Sequence, residues 1–233
     1  MEMFLDIVSS DGASVDEADN AELVVTALEE WGFLATQLED MEDTTELGME
    51  TFVDQLESSD VGVQIAAGEN IALLFEKSFT EAESDDEIDE SNPDQLANGA
   101  GDKMIRRYTV YRQQHQLEHT LSALAKAHSK RLSKKDKKSL HQTFADILNT
   151  VEVPTRGPRY STALDEDGFE FGSRMKVQIT TQGGKDGGRM LIDKWWKLHR
   201  LNGLKRLLQS GFLVHYEANQ VVFDSLPVFV EEG

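Results

Sequence analysis

Asp60-Val-Gly-Val-Gln-Ile-Ala-Ala-Gly-Glu-Asn-Ile-Ala-Leu-Leu-Phe-Glu-Lys-Ser-Phe79 decides the fold. Its apolar residues fall at Val61, Ile65, Ala72, Phe75 and Phe79, and again at Val63, Ala67, Ile71 and Leu74. Both sets have helical spacing, and only a narrow strip at Gly62, Glu69, Glu76 and Lys77 stays polar. A helix apolar on most sides is covered on most sides, as the inner helix of a bundle or solenoid is. Ser59 or Asp60 can cap its start. Gly68 costs roughly 1 kcal/mol against alanine inside a helix, which is tolerable where a neighbouring helix crosses closely.

Upstream, Met1, Phe4, Leu5 and Val8 share a helical face. After an acidic loop at 9–19, Asn20 caps a helix carrying Val24, Leu28, Trp31, Ala35 and Leu38. A loop at 39–45 leads to a helix with Met49, Phe52, Val53 and Leu56, then a short turn into the central helix. Ala27, Glu29 and Leu34 recur 40 residues later as Ala67, Glu69 and Leu74, a period that suits helical repeats of the HEAT or armadillo kind.

Residues 80–102 are too charged and apolar-poor to pack and read as a disordered acidic insertion. A long helix is expected near 103–129, with Tyr108, Tyr111, Leu117, Leu121, Leu124 and Ala125. A basic turn follows, in which Ser133 and Asp136 resemble a helix-starting pair, and then a helix with Leu140, Phe144, Ile147, Leu148 and Val151. Pro154 and Pro158 end the helical pattern. Phe169 and Phe171, then Met175, Val177 and Ile179, alternate as short strands do, and Gly183-Gly-Lys-Asp-Gly-Gly188 reads as a loop or hairpin tip. From Arg189 a helix is expected to resume, bending at Asn202-Gly203 and capped by Gly211, before a short helix near 212–218 and an irregular cap around Val221, Val222, Phe223 and Pro227. The fold class is therefore mainly α, an armadillo- or HEAT-like α-solenoid with a short β interruption near 168–182. Its expected segments are 1–79, 80–102, 103–153, 154–188 and 189–233.

The chain has 233 residues, 39% of them hydrophobic, and no cysteine, enough for a sizeable core and too little sulfur for disulfides or cysteine-ligated zinc. No basic region precedes an apolar run at the N-terminus, and no run approaches the ~20 residues that span a bilayer. An intracellular protein is expected, with no membrane partner, cofactor or small-molecule substrate. Charge is strongly polarised: residues 1–100 hold 28 acidic residues and one basic residue, whereas 101–233 hold 22 basic and 15 acidic residues. An acidic part that repels nucleic acid thus joins a part able to bind it.

His115-Gln-Leu-Glu118-His119 has the spacing of one class of zinc peptidases, but no third carboxylate ligand is identifiable and a solvated helix face accounts for it. No nucleophile, base and orienter can be assembled. The basic residues are more informative. Lys130, Arg131, Lys134, Lys135, Lys137 and Lys138 form one group, and Lys194, Lys197, Arg200, Lys205 and Arg206, beside Trp195 and Trp196, form another. Either can contact RNA phosphates or an acidic surface, and the first can also serve nuclear import. Of the adjacent tryptophans, one should be buried and the other partly exposed.

Ile65-Ala-Ala-Gly-Glu-Asn-Ile-Ala-Leu-Leu-Phe-Glu76, Phe144-Ala-Asp-Ile-Leu-Asn-Thr-Val-Glu152, Arg189-Met-Leu-Ile-Asp-Lys-Trp195 and Gln209-Ser-Gly-Phe-Leu-Val-His215 resemble, in this order, the interferon-related developmental regulator family. The likeness covers most of 44–79 and 103–227. It implies an armadillo-like repeat protein that is not an enzyme. Family members are associated with ribosomes that are not translating, and with transcriptional co-regulation through chromatin-modifying partners. The expected partner is therefore the ribosome, its RNA and proteins, with the eleven basic residues above as carriers; the alternative is a set of transcriptional co-regulatory proteins. The long acidic insertion departs from the family, and the chain stops at Gly233, before the basic tail associated with it.

Overall fold

The computed structural model describes residues 1–83, 86, 96–98, 103–126, 134–180, 186–228 and 230–231. The chain divides into two compact units, Met1–Arg156 and Gly157–Gly233.

In the first unit the described helices are α1 (Glu2–Ser9), α2 (Ala21–Ala35), α3 (Glu42–Gln55), α4 (Val61–Lys77), α5 (Gln114–Lys126) and α6 (Lys134–Glu152). The Asn20 side chain accepts the Leu23 N–H at 3.1 Å, and the Asp60 carboxylate accepts those of Gly62 and Val63 at 2.8 and 3.1 Å. Each satisfies amide groups that the first turn leaves without a helical partner. The central helix α4 is covered by α2, α3 and α6, while α1 packs on α2 and α3, and α5 on α6. Ala67, Ile71, Ala72, Leu73 and Leu74 are fully buried in consequence, each of the large ones contributing roughly 1.5–3 kcal/mol. Burial extends further round α4 than the sequence indicates, because Glu76 is buried too.

Gly68 marks the crossing of α4 and α6: a Cβ there would lie 2.7 Å from the Ile147 Cδ1 and 3.3 Å from the Phe144 Cε1. Two buried amides tie helices that the apolar core alone would leave free to slide. Asn70 on α4 donates to the Leu28 carbonyl of α2 at 2.9 Å, and Gln55 on α3 donates to the Val8 carbonyl at the end of α1 at 2.9 Å. Between α2 and α3, Trp31 and Phe52 meet edge to face, with ring centres 4.7 Å apart.

The segment read as an insertion followed by a long helix is built differently. Strands β1 (Phe79–Glu81), β2 (Leu96–Asn98) and β3 (Lys103–Arg106) form an antiparallel sheet in the order β1-β3-β2. Helix α5 thus starts only at Gln114, and residues 103–106 are strand because they pair on one side with the neighbouring β2 and on the other with β1, some twenty residues upstream. Residues 84–85, 87–95 and 99–102 of the expected insertion lie outside the described residues, as does the Ser133 cap.

The second unit holds a hairpin of β4 (Tyr160–Leu164) and β5 (Glu170–Ser173), and a sheet ordered β6-β7-β8 from Met175–Thr180, Asp186–Ile192 and Val230–Glu231. The β structure is therefore wider than the interruption expected at 168–182. Arg189–Ile192, read as helix, is strand: Gly188, Met190 and Ile192 are buried while Arg189 is exposed, a period of two. Helix α7 (Trp195–Leu208) continues through Asn202-Gly203 unbroken, with Gly203 buried, so packing overrides a glycine penalty of roughly 1 kcal/mol. Gly211 is not a left-handed cap. The positive φ of 47° falls on Gln209, and Gly211, at φ −82°, stays right-handed to enter α8 (Phe212–Ala218). The expected irregular cap contains a further helix, α9 (Gln220–Ser225), whose first free amide bonds the Asn219 side chain.

Candidate nucleic-acid interface

Helix α6 opens with Lys134-Lys-Asp-Lys-Lys138. Its amphipathic pattern fixes how it is held: Leu140, Phe144, Ile147 and Val151 are buried, and Lys138 is exposed. A helix N-terminus carries a partial positive charge of roughly half an electron. Four lysines in the first five residues add cations where the peptide dipoles already repel them, while Asp136 alone among these five opposes the effect. That is a cost to the isolated helix which an anionic partner would reverse. Lys130 and Arg131 lie outside the described residues, as do the side chains of Lys134, Lys135 and Lys137.

The second basic group is used within its own unit. Lys194 stands in extended conformation just before α7. Lys197 pairs with Asp193 at 2.7 Å. Arg200 donates to the Ser225 carbonyl at 2.7 Å, and burial lowers its pKa below the ordinary arginine value. Its guanidinium also stands 4.7 Å from the centre of the Trp196 ring, with the Lys197 ammonium at 5.5 Å. Lys205 is half-buried over the Phe212 ring at 5.9 Å, which likewise lowers its pKa through desolvation. Of the tryptophans, Trp195 is buried and Trp196 half-buried under these cations. Arg206 is half-buried in the same helix. The charges were legible in the sequence; the contacts of Arg200 and Lys205 were not, because Ser225 and Phe212 come from other helices.

His115 is fully exposed and stands 3.8 Å from Glu118, and His119 is exposed on the same helix. Among the described residues no three potential metal ligands come together. Nor is any described helix long and apolar enough to cross a membrane. A site that sequence reading missed is Arg107, whose guanidinium bonds both oxygens of Asp86, at 2.6 and 3.0 Å, and the Glu81 carbonyl at 3.0 Å. Arg107 holds the Asp86 carboxyl below its ordinary range. It fastens a described part of the acidic segment to the sheet rather than presenting charge outward.

A mainly helical protein with a cationic helix start and an acidic body is the class these features define. Residues 1–152 match the model of the interferon-related developmental regulator family, and the chain belongs to that family. The matched region ends within a few residues of the boundary between the two units. A Schizosaccharomyces pombe protein described as uncharacterized is 28% identical over 216 residues, covering 92% of this chain and 42% of that protein. Human interferon-related developmental regulator 1 is 27% identical over 203 residues, covering 86% of this chain and 35% of the human protein, and its mouse counterpart matches to the same extent. The chain thus spans less than half the length of the curated relatives it matches.

Proposed function

We propose that this chain is a non-enzymatic helical-repeat scaffold that regulates gene expression by binding non-translating ribosomes, with the start of α6 as the phosphate-contacting element. The scaffold reading is supported by the packing order, in which α2, α4 and α6 adjoin in turn and each is backed by the helix before it, as in stacked helix pairs. The binding reading rests on one observation, the run of lysines across the first turns of α6, joined to what family resemblance suggests. The α7 cations are secondary, since Lys197 and Arg200 already serve Asp193, Ser225 and Trp196. A cytoplasmic location, with nuclear entry through the basic run, accords with this role.

The test is cosedimentation of the chain with purified vacant ribosomes. Wild type should pellet with them, and a variant with Lys134→Glu, Lys135→Glu, Lys137→Glu and Lys138→Glu should remain in the supernatant with its helical circular dichroism unchanged. Equal pelleting of both would contradict the assignment. A second reading, a co-regulator that binds chromatin-modifying proteins, is favoured by the 28 acidic residues among the first 100, which suit basic protein surfaces. It predicts no ribosome pelleting for either form.

A further inference from the structure

The β4–β5 hairpin presents large apolar side chains to solvent beside its turn: Phe169 is 70% exposed and Leu164 61%. Among the described residues its strands pair only with each other. A lone two-stranded ribbon is marginal in water, yet this one is closely specified. Asp165 donates its N–H to the Phe169 carbonyl at 2.8 Å, and its carboxylate accepts the N–H groups of Asp167 and Phe169 at 3.0 and 2.9 Å. Gly168 supplies the left-handed residue of the turn, with φ 85°. The Tyr160 hydroxyl donates to Glu170 across the strands. Phe169 and Phe171 fall two residues apart, on one face, and the Arg174 guanidinium covers the second ring at 4.1 Å, leaving Phe169 as the outermost aromatic.

Asp165, Glu166, Asp167 and Glu170 surround Phe169 in sequence, without a cation from 160 to 173. Four carboxylates there repel a phosphate backbone, whereas an aromatic anchor with an acidic rim complements an apolar hollow bordered by lysine or arginine on a protein. We propose that this hairpin docks Phe169 onto a basic protein surface, and, resting on the ribosome reading above, that the surface belongs to a ribosomal protein rather than to ribosomal RNA.

The experiment places the photoreactive residue p-benzoylphenylalanine at position 169 of the full chain, or at the 76% exposed Val221 of α9 as a control, and irradiates each with vacant ribosomes. An adduct from position 169, absent from position 221, and mapped to a lysine- or arginine-rich ribosomal protein, is expected. Phe169→Ala, at an exposed position, should weaken ribosome binding by about tenfold, the scale of an interface anchor. Ribosome binding without a protein adduct, or with an adduct only on RNA, overturns the hairpin assignment alone. Failure of the wild-type chain to bind ribosomes at all overturns the ribosome reading, and the hairpin assignment falls with it.

Discussion

Gly68 and its neighbour Glu69 carry opposite lessons about the interior of α4. The place a Cβ would take at Gly68 is already filled by the buried Ile147 and Phe144 of α6. Gly68→Ala gains roughly 1 kcal/mol of helix propensity and needs only the tip of Ile147 to move, so its net effect is small. Gly68→Val forces the helices apart and should lower unfolding free energy by about 1–3 kcal/mol in urea titrations; a neutral Gly68→Val would contradict the crossing. At Glu69, burial first and the Glu29 charge second push the pKa from the ordinary 4.5 up to about 7. The folded chain then holds this proton more tightly than the unfolded chain. Stability is accordingly lost as pH rises from 4.5 through about 7, and is level above that. Glu69→Gln should flatten this slope and raise stability at pH 8 by about 1–3 kcal/mol, measured by urea unfolding across the range. An unchanged slope would show that Glu69 does not hold its proton in the fold.

At the scale of elements, α6 is built to be locally unfavourable. Replacing Lys134 and Lys135 by glutamate should raise thermal stability, by about 1 kcal/mol, while weakening ribosome binding; a fall in both would mean that these lysines serve the fold. The helices were legible because apolar residues recurring every three to four positions, such as Leu140, Phe144, Ile147 and Val151, record burial on one face. Strands of four to seven residues were less so. Lys103–Arg106 offers only two apolar residues, and its β2 partner is a three-residue strand in an acidic, apolar-poor stretch, while its other partner, β1, lies at a distance along the chain that no local period encodes. Arg189–Ile192 runs directly toward α7, and its pairing with Met175–Gln178 on one side and Val230–Glu231 on the other makes it a strand. The candidate interface was legible as charge alone. That Arg200 would spend its guanidinium on Ser225 and Trp196 depends on how α7 and α9 meet inside one unit.

Across the whole molecule, the division between units redraws the charge map. The residues from 157 to 233 hold ten basic and ten acidic residues, so the second unit is neutral and the excess of cations lies between 101 and 156. An acidic body with a short cationic stretch is thus contained in the unit that the family match covers. Such a distribution restricts where a polyanion can be met, and contact at the start of α6 should depend steeply on salt, because each neutralised phosphate releases counterions. The most direct test is the slope of log binding constant against log salt concentration for vacant ribosomes. Changing Lys134, Lys135, Lys137 and Lys138 to glutamine should make the slope shallower by about 3, whereas Lys197→Gln with Lys205→Gln should leave it nearly unchanged. An unaltered slope in the α6 variant, or an equal loss in the α7 variant, would contradict the account.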